Sequence, residues 1–117
     1  MKRKISLYIK DVLENIEKAE MFVEGITLEE FKNDEKTNYA IVRCIEIIGE
    51  ATKQIPMEMR QKYSGIPWRD MAGMRDKLIH FYFGLNAEKV WLVIKEDIPH
   101  IKPLLERMLA DLEDADL

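Results

Sequence analysis

Apolar residues recur three or four positions apart along most of the chain, which is the spacing of one face of an α-helix. The first such run predicts a helix over residues 5–23, and Gly25 follows it as a residue suited to end a helix. Thr27 and Glu30 form a capping-box pattern that predicts a second, short helix through Phe31.

The next apolar run predicts a long helix over about residues 35–54. This helix is apolar on more than one face, so we expect two neighbours to pack on it, one of them from another chain. Gly49 lies in its middle, where glycine costs about 1 kcal/mol relative to alanine. Close approach of another helix would offset that cost, and we expect that helix to belong to a dimer partner.

Proline and glycine divide the second half of the chain. Pro56 and the stretch 64–67 interrupt the apolar pattern, with a short helix predicted between them. Pro67 suits the first turn of the next helix, and Gly84 is placed to close it.

The C-terminal third predicts two further helices. Asn86 is a predicted N-cap for the first, and Asp97 with Pro99 predicts a restart of the chain as the last helix. The acidic tail 111–117 is expected to fray. No stretch alternates as a strand would, so an antiparallel helical bundle in a single domain, residues 1–117, is the simplest architecture.

The net charge of −4 argues against a general nucleic-acid binder, and no DNA partner is expected. The charge is unevenly spread, however. Residues 51–82 carry six basic and three acidic side chains, a net +3, so the rest of the chain carries −7. A basic lobe on an acidic body can concentrate an anionic ligand at one site. An ordinary solvated basic face explains the same charges equally well.

The single cysteine, Cys44, excludes an internal disulfide and fits a reducing compartment, so a cytoplasmic location is expected. No apolar run approaches the roughly 20 residues that span a bilayer, and we expect no membrane partner.

Residues 74–82 place an arginine, an acid, a histidine and a tyrosine at the end of a predicted helix. Arg75 has a permanently charged, forked guanidinium that suits phosphate. His80 can exchange a proton near neutral pH, and Asp76, four residues earlier, could orient its imidazole. A phosphate ligand and a proton carrier are the minimum for metal-free cleavage of a phosphodiester.

Simpler interpretations exist for each of these residues. His80 could be a hydrogen-bonded histidine at a helix end, where the helix dipole favours it. Arg75 could form a surface ion pair with Asp70 or Asp76. Tyr82 could pack in the core with its hydroxyl at the rim.

Glu50 and Asn38 on the long helix are secondary candidates for the site. Arg43 lies seven residues before Glu50, so the two share a helical face, and this polar row could face the site or solvent equally well. Cys44, His80 and His100 lack the spacing of metal ligands, so neither a metal nor another cofactor is expected.

Four segments of the chain appear in the order found in HEPN-domain proteins: Asn38–Arg43, Ile47–Ala51, Ile66–Trp68 and Met74–Tyr82. The chain most closely resembles the HepT-like toxins, which are paired with MNT-type nucleotidyltransferase antitoxins. Arg-x4-His-x-Tyr alone is a weak pattern, but the other three segments make the resemblance specific.

The resemblance implies an antiparallel HEPN four-helix bundle with additional short helices, assembled as a homodimer. It also implies metal-independent ribonuclease activity, with tRNA as the best-known kind of target. By position, Arg75 and His80 match the catalytic pair, and Asp76 occupies the polar position after the arginine. Tyr82 matches the tyrosine that the partner nucleotidyltransferase adenylylates to silence the toxin.

Helical geometry favours a dimeric site, because Arg75 and His80 lie about 140° apart around a straight helix. Two-fold symmetry doubles each group, so the two His80 side chains could act as base and acid. Two alternatives stay open. Similar domains have lost activity, so the cleft expected at the dimer interface could merely hold a nucleotide or the nucleotidyltransferase partner. The chain could also be a plain structural dimer.

Overall fold

The computed structural model describes the backbone of residues 3–81 and 86–115, and the side chains of 3–76 and 86–115. The described backbone contains no strand, which confirms the all-α, HEPN-like class. Its elements are α1 (Ile5–Phe22), α2 (Leu28–Asn33), α3 (Glu35–Lys53), α4 (Met57–Lys62), α5 (Trp68–Phe81), α6 (Ala87–Leu92), a π-helical turn (Val93–Asp97) and α7 (Ile98–Ala115).

The predicted helix boundaries are confirmed where capping chemistry was visible in the sequence. Gly25 has a φ of 76°, a left-handed conformation that turns the chain after α1. Thr27 and Glu30 exchange the two hydrogen bonds of a capping box at α2. Asn86 accepts from the backbone N–H of Lys89 at α6. Gly84, the predicted end of α5, lies outside the described residues.

The order of the long helices across the bundle is α7, α1, α3, α5, because each packs mainly on the next. α1 and α7 run antiparallel. Lys10 Nζ is 3.5 Å from Glu113 Oε2, whereas Lys102 Nζ is 2.9 Å from Glu20 Oε1. The two neighbours expected for α3 are therefore present, and both come from its own chain.

The core lies between these helices and is closed at one end by α2, where the Phe31 ring is 5.5 Å from the ring of Trp91. Trp68, at the start of α5, is also buried, as expected of a core tryptophan. The largest fully buried apolar side chains come from α1, α2, α3, α5 and α7: Ile9, Ile16, Phe31, Ile41, Met71, Leu105 and Met108.

The last helix begins at Ile98, as predicted from Asp97 and Pro99, but no break precedes it, because the chain remains helical from Ala87 to Ala115. Pro99 has no N–H to donate to the carbonyl four residues earlier, and its ring crowds that carbonyl. The helix accommodates the proline by widening into the π-helical turn Val93–Asp97 just before it.

The acidic tail expected to fray from Asp111 is instead helical as far as Ala115. The Tyr63 hydroxyl donates to Asp111 Oδ2 at 3.0 Å. Burial, together with this hydrogen bond and the negative charge of Asp111, raises the pKa of Tyr63, so the hydroxyl keeps its proton. The Tyr63 carbonyl accepts from Trp68 Nε1 at 3.0 Å, which ties the start of α5 to the end of α7. No helix in the described part of the chain is both long and apolar enough to cross a membrane.

Candidate active site

Arg75 lies on α5 where this helix packs closely against Gly49 of α3. An ideal Cβ built on Gly49 would lie 3.1 Å from the Arg75 Cβ and 3.3 Å from the Arg75 backbone nitrogen. It would also lie 3.6 Å from the carbonyl oxygen of Ala72. The close approach expected at Gly49 is therefore confirmed, but the helix that packs there is the chain's own α5 and not a helix of a dimer partner. The missing side chain of Gly49 allows α3 to hold the backbone that carries Arg75.

This contact predicts opposite effects for two glycine substitutions. Gly73→Ala meets no atom within 4 Å in the subunit, so the better helix propensity of alanine should raise the free energy of unfolding by up to about 1 kcal/mol. Gly49→Ala gains the same propensity but overpacks the Arg75 backbone, which typically costs about 1–3 kcal/mol. We expect it to lower the free energy of unfolding, as measured by urea denaturation. A gain for Gly49→Ala equal to that for Gly73→Ala would contradict the close packing.

Two ion pairs connect α3 to α5 beside this contact. Arg75 Nε is 3.6 Å from Glu50 Oε1, and Lys53 Nζ is 3.5 Å from Asp76 Oδ1. The Arg75 and Glu50 side chains are 40% and 49% exposed, so their attraction is screened and adds little stability. The Arg75 guanidinium is thus held at the surface of the bundle, where a phosphate could replace the carboxylate as its partner.

The structure also assigns Arg75 a different ion-pair partner from the two acids considered above. Its partner is Glu50 on α3, rather than Asp70 or Asp76 on its own helix. Glu50 was a secondary candidate, and the structure places it directly beside Arg75. Lys53 was not singled out from the sequence, although it follows Glu50 at a spacing that puts both on one helical face.

Asn38 lies elsewhere. Its side-chain amide donates to the carbonyls of Phe31 at 2.7 Å and Asp34 at 2.8 Å, which fixes the junction between α2 and α3. It precedes Gly49 by eleven residues, about 16 Å along the helix. The described contacts give Asn38 a structural task at the other end of α3.

Several basic residues of the segment 51–82 have partners in the structure. Arg60 donates to the carbonyls of Ile55 and Thr52, both at 3.0 Å, and so caps the C-terminal end of α3. Arg60 keeps its charge, because backbone carbonyls are neutral. The charges of Lys53 and Arg75 are each paired with a carboxylate, Asp76 and Glu50 respectively.

The remaining predicted site residues are only partly described. The backbone of His80 belongs to α5, five residues after Arg75, but its side chain lies outside the described side chains. Tyr82 lies outside the described residues altogether. In the described part of the chain, no three His, Cys, Asp or Glu residues are grouped as metal ligands.

Comparisons with known proteins identify the family of this helical scaffold. The profile of the ribonuclease HepT-like family matches residues 12–108. The chain belongs to the ribonuclease HepT-like family. It is 47% identical over 108 residues to the probable ribonuclease HepT of Thermococcus cleftensis, covering 92% of this chain and 98% of that protein. It is 45% identical over 115 residues to a candidate RNase of Methanocaldococcus jannaschii, covering 98% of this chain and 95% of that protein.

A candidate RNase of Caldanaerobacter subterraneus is 43% identical over 102 residues, covering 87% of this chain and 91% of that protein. No solved structure matches this HepT-like chain significantly. The family match spans α3 and α5, the two helices that carry Glu50, Arg75 and His80.

Proposed function

We propose that this HepT-like protein is a metal-independent endoribonuclease and the toxin of a two-gene toxin–antitoxin system. The observation that carries the proposal is the placement of Arg75. Its backbone is wedged against Gly49, its guanidinium reaches the surface, and its helix also carries His80. An anchored cation and a proton carrier are what cleavage of RNA without a metal requires.

The working unit that we propose is a homodimer. α5 packs chiefly on α3 within the subunit, and the side chains of Arg69, Asp70 and Asp76 on α5 are exposed. Since α5 remains helical from Arg75 to His80, the two backbone positions lie about 140° apart around the helix axis. One subunit therefore cannot easily direct both groups at one phosphate, whereas a two-fold axis near α5 supplies a second copy of each.

The two His80 side chains and Arg75 of the proposed dimer suggest the following reaction. One His80 takes the proton from the ribose 2′-hydroxyl, which then attacks the adjacent phosphorus. The other His80 gives a proton to the 5′-oxygen as the phosphorus–oxygen bond breaks. Arg75 stabilises the negative charge that develops on the non-bridging oxygens, with Asp76 and Glu50 as supporting residues. The products are a 2′,3′-cyclic phosphate and a 5′-hydroxyl.

The proposed substrate is RNA, with tRNA as the first class to test. The proposed regulator is a nucleotidyltransferase antitoxin that transfers AMP to Tyr82, in the cytoplasm. Support for this part comes from the family and from the Tyr82 position in the Arg-x4-His-x-Tyr motif.

The deciding experiment is product analysis after incubation of the purified protein with tRNA and with total RNA, with and without EDTA. We expect cleavage at an unchanged rate in the chelator, with 2′,3′-cyclic phosphate ends identified by mass spectrometry. Cleavage that stops in EDTA and returns with added metal would contradict the mechanism. RNA or nucleotide binding without any cleavage would instead support the alternative, an inactive HEPN binding module.

A further inference from the structure

A second feature lies next to the Glu50–Arg75 pair and is not used by the proposed chemistry. A cleft of about 310 Å³ opens between the start of α1 and the second half of α3. Its lining combines an aromatic ring, a cation, two carboxylates and an amide: Arg3, Tyr8, Asp11, Ile47, Glu50 and Gln54. Glu50 belongs to both places, so the cleft begins one side chain away from the proposed phosphate ligand.

One wall of the cleft is a planar platform. The Arg3 guanidinium carbon is 4.9 Å from the centre of the Tyr8 ring, which is the arrangement of a cation–π contact. Asp11 holds the same guanidinium through an ion pair at 2.5 Å. The Tyr8 ring covers one side of the guanidinium, and the Arg3 side chain is 42% exposed, which leaves part of it accessible to a ligand. Nucleobases of RNA stack on such guanidinium planes.

The polar groups around the platform favour one class of base edge. Ionised Asp11 and Glu50 only accept hydrogen bonds, and each carboxylate has room for more partners than the one cation it contacts. The Gln54 amide can donate or accept. A base that presents two adjacent donors on its Watson–Crick edge suits a carboxylate best, and guanine is that base, through its N1–H and its amino group.

The charges of the cleft also suit a nucleotide. Each carboxylate is paired with an arginine, Asp11 with Arg3 and Glu50 with Arg75. These four groups sum to zero, so the net negative charge of the chain is not focused on this site. A phosphate at Arg75 would release Glu50 to turn towards the cleft.

From these contacts we infer that the cleft is a nucleobase subsite, which accepts guanine next to the scissile phosphate and gives the ribonuclease a base preference. The inference rests on the proposed function for its place in the reaction. The Arg3–Tyr8 platform stacks the base, and Asp11 reads its donor edge with the help of Gln54.

The test uses the full-length protein and a set of oligoribonucleotides that differ only in the two bases flanking the scissile phosphate. We expect kcat/KM to favour guanine over adenine by about tenfold at one of these positions. Asp11→Asn should remove most of that preference, and Arg3→Ala should lower kcat/KM for all bases. Asp97→Asn, an exposed change of the same type in the π-helical turn, should leave the preference unaltered.

A second readout needs no cleavage. Binding of GMP and of AMP to the same proteins, followed by NMR titration, should favour GMP in the wild type and lose that difference in Asp11→Asn. Active enzyme with a flat base preference and equal binding of GMP and AMP would overturn the subsite and leave the proposed ribonuclease intact. GMP binding that depends on Asp11 in a protein that cleaves no RNA would uphold the subsite and overturn the ribonuclease.

Discussion

His80→Ala is expected to reduce RNA cleavage by about 10²–10⁴-fold, because it removes the only candidate proton carrier in the motif. Arg75→Ala should cost about 10²–10³-fold by removing the cation that faces the developing negative charge. Arg75→Ala should not unfold the protein, since the Arg75–Glu50 pair is exposed and contributes little stability. Initial rates on a single RNA substrate, with thermal denaturation and sedimentation of each variant, check both expectations.

Two control variants show whether a loss of cleavage is specific to His80 and Arg75 or follows from any similar change at the surface. His100→Ala removes the chain's other histidine, which is exposed on α7. Arg69→Ala removes an exposed arginine from α5, six residues before Arg75. Both should cleave RNA at close to the wild-type rate. If Arg69→Ala were as impaired as Arg75→Ala, the effect would reflect general positive charge on α5 and not a specific phosphate ligand.

Mixed dimers test whether the two subunits share one site. A dimer of one wild-type and one His80→Ala subunit, purified through two different affinity tags, should be nearly inactive if one imidazole acts as base and the other as acid. It should keep about half the activity if each subunit contains a complete site. The second result would leave His80 in the mechanism but refute the shared proton transfer.

The sequence predicts those parts of the structure that depend on residues close together in the chain. Helix ends were predictable at Gly25, Thr27 and Asn86, because a cap is made by side chains within a few positions of the bonds they satisfy. At Pro99 the sequence predicted the start of α7 but not the continuous helix that leads into it. A proline near a helix start resembles a restart, yet a single π-helical turn accommodates it within a continuous helix.

Contacts between distant segments were less predictable. The glycine in the middle of α3, Gly49, indicated that another helix comes close, but only the packing of α3 on α5 shows which helix it is. Likewise, the acids near Arg75 in the sequence suggested local ion pairs, whereas Glu50, 25 residues earlier, is the partner in the structure. Periodicity describes the face of one helix, and the site here is formed by the pairing of two.

Tyr82→Phe is expected to abolish transfer of AMP to the protein, because phenylalanine keeps the ring but lacks the hydroxyl that would attack the α-phosphorus of ATP. The experiment is co-expression of the wild type and the variant with an MNT-type nucleotidyltransferase, followed by intact-mass and peptide mass spectrometry. The wild type should gain one or more AMP units on the peptide that contains Tyr82 and lose RNA cleavage. The variant should gain none and stay active in the presence of the nucleotidyltransferase.

The other tyrosines supply the control, because exposure alone could direct the transfer. Tyr39, on α3, is 55% exposed, whereas Tyr8 and Tyr63 are half-buried. If the nucleotidyltransferase simply modified tyrosines on exposed surface, Tyr39 would also be an acceptor and Tyr39→Phe would reduce the added mass. If the enzyme recognises the motif, Tyr39→Phe should be modified and silenced like the wild type. An AMP-modified Tyr82→Phe protein would refute the assignment, since its acceptor would then lie elsewhere in the chain.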